Sequence, residues 1–149
     1  MAEHRISNIA RWVLIVVTVF NAVSAIGGGI GLVFANGLGM PASVLGDGPF
    51  TSFVVPGLIL LAVVGGTQTL AAVALIARWA SALVWSAVAG FGLVIWIYVE
   101  VAIMPGYSWL QTLYFVTGIA QLTLAFALTG ILAWVPRLDN QPAHPSPLG

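Results

Sequence analysis

Charge is what this sequence has least of. Only 5% of its 149 residues are Asp, Glu, Lys or Arg, while 60% are hydrophobic; soluble domains carry about 25% charged residues. No soluble core absorbs that much apolar surface, so the bilayer is the expected solvent. Lysine is absent, and the basic residues are Arg5, Arg11, Arg78 and Arg137, giving zero net charge. A chain without a basic cluster has no electrostatic footprint for nucleic acid. The lack of cysteine removes disulfides, thiolate catalysis, iron–sulfur ligation and lipoprotein anchoring together. The only histidines, His4 and His144, stand in the terminal segments. No imidazole is thus expected inside the membrane to hold haem or metal, and no cofactor is expected. Phosphate cradling is unsupported as well. There is no GxxxxGK[ST] loop, and the cluster Gly27 to Gly31 follows no strand and has no basic neighbour.

What is present is apolar length. Four segments reach the roughly 20 residues a membrane helix needs: 12–35, 53–76, 79–101 and 109–134. The fold class expected is all-α, an integral membrane four-helix bundle over residues 1–138 with a disordered tail at 139–149, where three prolines interrupt a polar sequence. Ahead of the first span, Ile6, Ile9, Ala10 and Val13 fall at helical spacing and suggest a short interfacial lead-in. Arg11, the apolar run and Val23-Ser24-Ala25 also imitate a signal peptide. The retained lead-in is the preferred reading, because the sequence keeps the segment.

A four-span path puts all four arginines at one side, and Trp12, Trp79 and Trp134 stand beside three of them. The positive-inside rule makes that side cytoplasmic, with both termini inside. Absent lysine beside abundant Ala, Gly and Val matches the codon usage of a GC-rich bacterium, so the expected location is a bacterial cytoplasmic membrane. The outer connections, 36–52 and 102–108, contain no arginine. In the first, Gly46-Asp47-Gly48-Pro49 is a strong turn signal. That stretch reads as a flexible connector on the membrane surface, against the rival reading of a lid carrying Asp47 over the bundle. The two outer connections also echo each other, which turn and aromatic-belt chemistry explains without a repeat.

Helices in lipid gain no hydrophobic free energy from one another, so small-residue stripes and interhelical hydrogen bonds must hold them. Stripes are available at Ser24 with Gly27 to Gly31, at Gly57, Gly65 and Gly66, and at Ala82, Ser86 and Gly90. They predict tight packing and allow self-association. On the fourth span Gln111, Tyr114, Gly118, Gln121 and Ala125 share one face, expected to look inward. With Asn21 near mid-membrane and Gln68 in the inner half, these residues suggest a discontinuous polar file along the bundle axis, most acidic at the outer end. Glu100 supplies that acidity. An ionisable group inside a span is expensive and usually has a role, although Glu100 lies near a helix end and Trp96, one turn earlier, is placed to shield it.

The segments GDGPFTSFVVPGLIL (46–60), LVIWIYVE (93–100) and SWLQTLYFVTG (108–118) resemble recurring blocks of a group of small bacterial four-span membrane proteins. The resemblance covers the second to fourth spans. It implies the same four-helix fold and carries no activity with it; Asp47, Glu100, Trp109 and Gln111 lie in the matching blocks. In size and topology alone the chain is also similar to DoxX-like proteins.

The functional expectation is a non-enzymatic membrane protein that binds a lipid or apolar ligand in its outer half or serves as accessory subunit of a larger membrane complex. The alternative is an oligomeric proton or ion conduit using Glu100 with Gln111, Tyr114 and Gln121. Chemistry by Asp47 and Glu100 as an acid–base pair requires the 36–52 connection to fold over the bundle.

Overall fold

The computed structural model describes residues 2–35, 37–46, 49–103 and 108–130, with the side chains of 2–6, 42 and 44 set aside. Four helices account for nearly all of it: α1 (Ala2–Phe34), α2 (Val54–Ile76), α3 (Ala82–Ile103) and α4 (Trp109–Leu128). Among the described residues there is no strand. Each helix has the length and apolarity to cross a bilayer. The protein is a multi-pass, all-α membrane protein. Consecutive helices pack side by side and α4 closes against α1, so the four form a ring around one axis. Their outward faces stay apolar and exposed, with Val16, Val23, Val84, Ile95 and Val116 among them, as lipid contact requires.

The helix ends have local causes. The lead-in and first span form one unbroken helix from Ala2. Pro56 falls in the first turn of α2, where a missing N–H costs nothing. At the other end of α2 the chain reverses through Arg78 at φ +57, while Trp79 N–H bonds back to the Ala74 carbonyl at 2.9 Å. This is a Schellman-type stop with arginine in the place glycine usually takes. Arg11 donates from Nη2 to the Leu75 carbonyl at 2.9 Å, putting a cation on the carbonyl end of α2. Arg11 and Arg78 therefore share one end of the bundle. Ser108 caps α4. Apolarity continues to Trp134, yet the helix stops at Leu128, with Thr129 as its cap and Gly130 at φ +74. A left-handed glycine ends a helix whatever the hydropathy beyond it.

Two close crossings hold the ring. A Cβ on Gly29 would lie 2.7 Å from Leu61 Cβ and 2.9 Å from the Gly57 carbonyl oxygen, so α1 and α2 meet backbone to backbone. On the opposite side, a Cβ on Gly118 would come within 2.9 Å of Val94, and one on Gly90 within 3.0 Å of Leu122. Of the first span's glycine cluster, Gly29 packs against the α2 backbone and Gly31 against the Leu38 side chain, whereas Gly27 meets nothing.

Within α2, residues Leu60–Gly65 form a π-helical turn. The inward positions Pro56, Leu60, Val64 and Gln68 advance by four residues at each step. An ideal α-helix would carry such a series about 40° off its face per step, and the wide turn takes up the excess. Gln68 thereby stays on the bundle axis.

The connection after α1 is folded onto the bundle, not laid out as a free connector. Leu45, in a short 3₁₀ turn (Ala42–Leu45), is buried against Leu32 and Phe53. Gly37, at φ +81, abuts the Phe53 ring so closely that a Cβ has no room there. Asp47 and the tail at 139–149 lie outside the described residues.

Candidate functional site

Apart from Thr18, whose hydroxyl donates to the Leu14 carbonyl of its own helix, the buried polar residues described fall into two groups instead of one file. The first is a mid-bundle lock that joins all four helices. Gln121 Oε1 accepts from Asn21 Nδ2 of α1 and from Gln68 Nε2 of α2, both at 3.1 Å, while its own Nε2 donates to the Ser86 carbonyl of α3 at 3.0 Å. Gln68 Nε2 also donates to the Ala89 carbonyl at 3.2 Å. Thr117 Oγ1 stands 2.9 Å from Asn21 Oδ1 and 3.0 Å from the Tyr114 carbonyl, and shares its proton between them. Asn21, Gln68, Ser86 and Gln121 are all buried. Gln68 thus stands level with Gln121, nearer the middle than its position in the second span suggests. Gln68 Oε1 and Ser86 Oγ are buried without partners among the described residues.

The second group stands at the α3–α4 junction. Gln111 is the third residue of a capping box. Its Oε1 accepts from the Ser108 backbone N–H at 3.0 Å, and the Ser108 hydroxyl accepts from Leu110 N–H at 3.3 Å. The backbone N–H needs an acceptor, which fixes the orientation of the Gln111 amide. Its NH₂ consequently faces Glu100, with Nε2 3.4 Å from Oε1. Trp96 is buried one turn below. Its indole N–H lies on the Glu100 side without reaching a partner of hydrogen-bonding geometry.

Between the groups lies a cavity of about 310 Å³. Its walls are mainly apolar: Leu32 of α1, Leu38 and Met40 of the connection, Pro56 and Leu60 of α2, Leu93 and Ile97 of α3. Asn21 stands at its inner limit and Glu100 with Gln111 at its outer limit, with Ser24, Trp96 and Tyr114 between them. Among the described residues the hydroxyls of Ser24 and Tyr114 make no hydrogen bond, and the Tyr114 ring stacks on Phe20 at 6.1 Å. Inward of the lock the bundle closes on Leu14, Ala74, Leu75, Ala82 and Ala125.

Of the residues singled out in the sequence, Glu100, Gln111, Tyr114, Trp96 and Asn21 come together around this cavity, while Gln68 and Gln121 form the lock beneath it. Sequence reasoning missed Thr117, and it read Ser24 only as part of a packing stripe. Both lie one helical turn from residues it had placed inside, the signal by which they were recoverable. Among the described residues no cluster of His, Asp or Glu suits a metal ion. Comparison of the chain with protein-family models, with curated proteins and with solved structures gives no match.

Proposed function

We propose that this is a non-enzymatic ligand-binding membrane protein, which holds an apolar molecule drawn from the bilayer in the cavity between Asn21 and Glu100. The observation that carries the reading is the cavity itself: about 310 Å³, walled by aliphatic side chains, with a few polar groups gathered at one end. Small-molecule sites have this composition and begin near this volume. The lock weighs against a conduit, because the Gln121 amide is committed to three helices and tight aliphatic packing lies beyond it.

Native mass spectrometry of protein released from mild detergent tests the reading. The wild type should retain an apolar molecule or take up added 1-octanol, and Gly28→Leu, which grows a side chain into the cavity, should abolish uptake while the protein stays monodisperse. A wild-type protein that takes up neither overturns it.

The location belongs to the same proposal: a bacterial cytoplasmic membrane, with the Arg11 and Arg78 end inside. Because the chain has no cysteine, single thiols report the side cleanly. In intact cells Thr51→Cys should react with an impermeant thiol reagent, and Ser81→Cys only after lysis; the reverse pattern refutes the orientation.

A further inference from the structure

We infer that the cavity selects a lipophilic ammonium ion, an alkylamine or similar apolar body with one protonated nitrogen, over a neutral or anionic amphiphile of the same size. The inference rests on the proposed ligand-binding reading and adds the chemistry of the ligand's head.

Glu100 supplies it. Glu100 lines the cavity, and among the described residues its carboxyl group accepts one long hydrogen bond, from the neutral Gln111 amide to Oε1, with the Trp96 indole N–H also on its side and no bond formed to Oε2. The arginines whose side chains are described cannot neutralise it. Arg11 is engaged at the Leu75 carbonyl and Arg78 sits in the turn that follows, both at the opposite end of the bundle. A carboxylate held among aliphatic walls without a cation is poorly compensated, and a ligand that brings the positive charge gains most there. Around Glu100 stand further groups suited to a cation. Among the described residues the Ser24 and Tyr114 hydroxyl oxygens accept no hydrogen bond, so their lone pairs are available to a donor. Trp96 and Tyr114 add aromatic surface, which attracts cations electrostatically. An ammonium group donates and never accepts, and Glu100 Oε2, Tyr114 and Ser24 can all accept from it. An anionic head meets the carboxylate unfavourably, and an alcohol gains hydrogen bonds without charge compensation. The aliphatic wall from Leu93 to Leu32 takes the chain. A cavity of about 150 Å³ holds benzene, so this one accommodates roughly a dozen heavy atoms, enough for an octyl chain with its nitrogen.

The test compares octylammonium, 1-octanol and octanoate on the full-length protein in nanodiscs. Retention is read by native mass spectrometry, and the Trp96 indole ¹⁵N–¹H resonance, assigned by its loss in Trp96→Phe, reports occupancy beside Glu100. Octylammonium should bind the wild type at least about tenfold more tightly than 1-octanol and shift the Trp96 resonance saturably, with octanoate weakest. In Glu100→Gln, which keeps the shape and a partner for Gln111, the preference should vanish while 1-octanol binding persists and certifies the fold. Binding of 1-octanol as tight as octylammonium in the wild type overturns the ammonium inference and leaves the cavity reading standing. A wild type that binds none of the three overturns both.

Discussion

The two halves of the bundle are built from the same residue types and reach opposite results. At the Arg11 end, Leu14, Ala74, Leu75, Ala82 and Ala125 close on one another with at most 4% exposure. At the Glu100 end, Leu32, Leu60, Leu93 and Ile97 surround about 310 Å³ of space. The difference lies in what occupies the axis. Alanines at the inner end let the helices approach until aliphatic side chains meet. The outer end places Gly28, Ser24 and Ala25 opposite a π-widened turn and supports the gap with a folded connection carrying Leu38 and Met40. Between them the Asn21, Gln68 and Gln121 amides set the distance at which all four helices stand. A lock at the middle allows one end to be tight and the other hollow without the bundle shearing.

Removing a buried side chain from each half is the strongest way to break this comparison. Leu75→Ala deletes atoms surrounded on all sides and should destabilise by about 2–4 kcal/mol. Leu93→Ala, with the cavity on one flank, should cost roughly half as much, since fewer partner atoms are lost. Reversible unfolding in mixed micelles measures both. Equal losses would mean that the outer half is as closely packed as the inner one.

The lock comes next in size. Gln121→Leu deletes two accepted bonds and one donated bond at the bundle axis. Interhelical bonds in membranes average about 0.6 kcal/mol, and the stranded Asn21 NH₂ and the Gln68 NH₂, left with only its Ala89 bond, add to the loss, so about 2–3 kcal/mol is expected. A loss below about 0.5 kcal/mol would show that the amides do not hold the helices in place.

How much of this was legible in the sequence follows from which interactions are local. The four spans are visible because hydropathy is a sum over neighbours in the chain. The inward face of Ala82, Ser86 and Gly90 and that of Gln111, Tyr114, Gly118, Gln121 and Ala125 are visible because helical periodicity is too. Both stripes are buried in the structure except at Tyr114, which is half-buried where it borders the cavity. The capping box at Ser108 and Gln111 was written in the spacing, yet its consequence, an amide oriented toward Glu100, required knowing that α3 lies alongside. The π turn was hidden because one extra residue leaves composition unchanged. It shows only in the run of four-residue steps from Pro56 to Gln68. The cavity was beyond reach for a related reason, since a void is set by the distance between helices and no single helix encodes that.

The glycines of α1 give the smallest effects and separate packing from propensity most cleanly. Gly27, Gly28 and Gly29 are neighbours in the same helix, so an alanine at any of them gains the same helix propensity, up to about 1 kcal/mol. Their surroundings differ. A Cβ on Gly27 meets nothing within 4 Å, one on Gly28 meets the mobile end of Leu60 at 3.3 Å, and one on Gly29 meets Leu61 backbone N at 2.8 Å and the Gly57 carbonyl oxygen at 2.9 Å. Gly29→Ala must push α1 away from α2, because backbone atoms cannot turn aside as a leucine methyl can, and should cost about 1–2 kcal/mol net. Gly28→Ala should be near neutral, with Leu60 yielding into the cavity. Gly27→Ala should stabilise, by less than about 1 kcal/mol. The order of the three is the diagnostic, because each shares its helix with the others and differs only in what faces it. If Gly27→Ala destabilised as much as Gly29→Ala, the helix would depend on glycine for its own conformation, and the close α1–α2 crossing would not be what these residues serve.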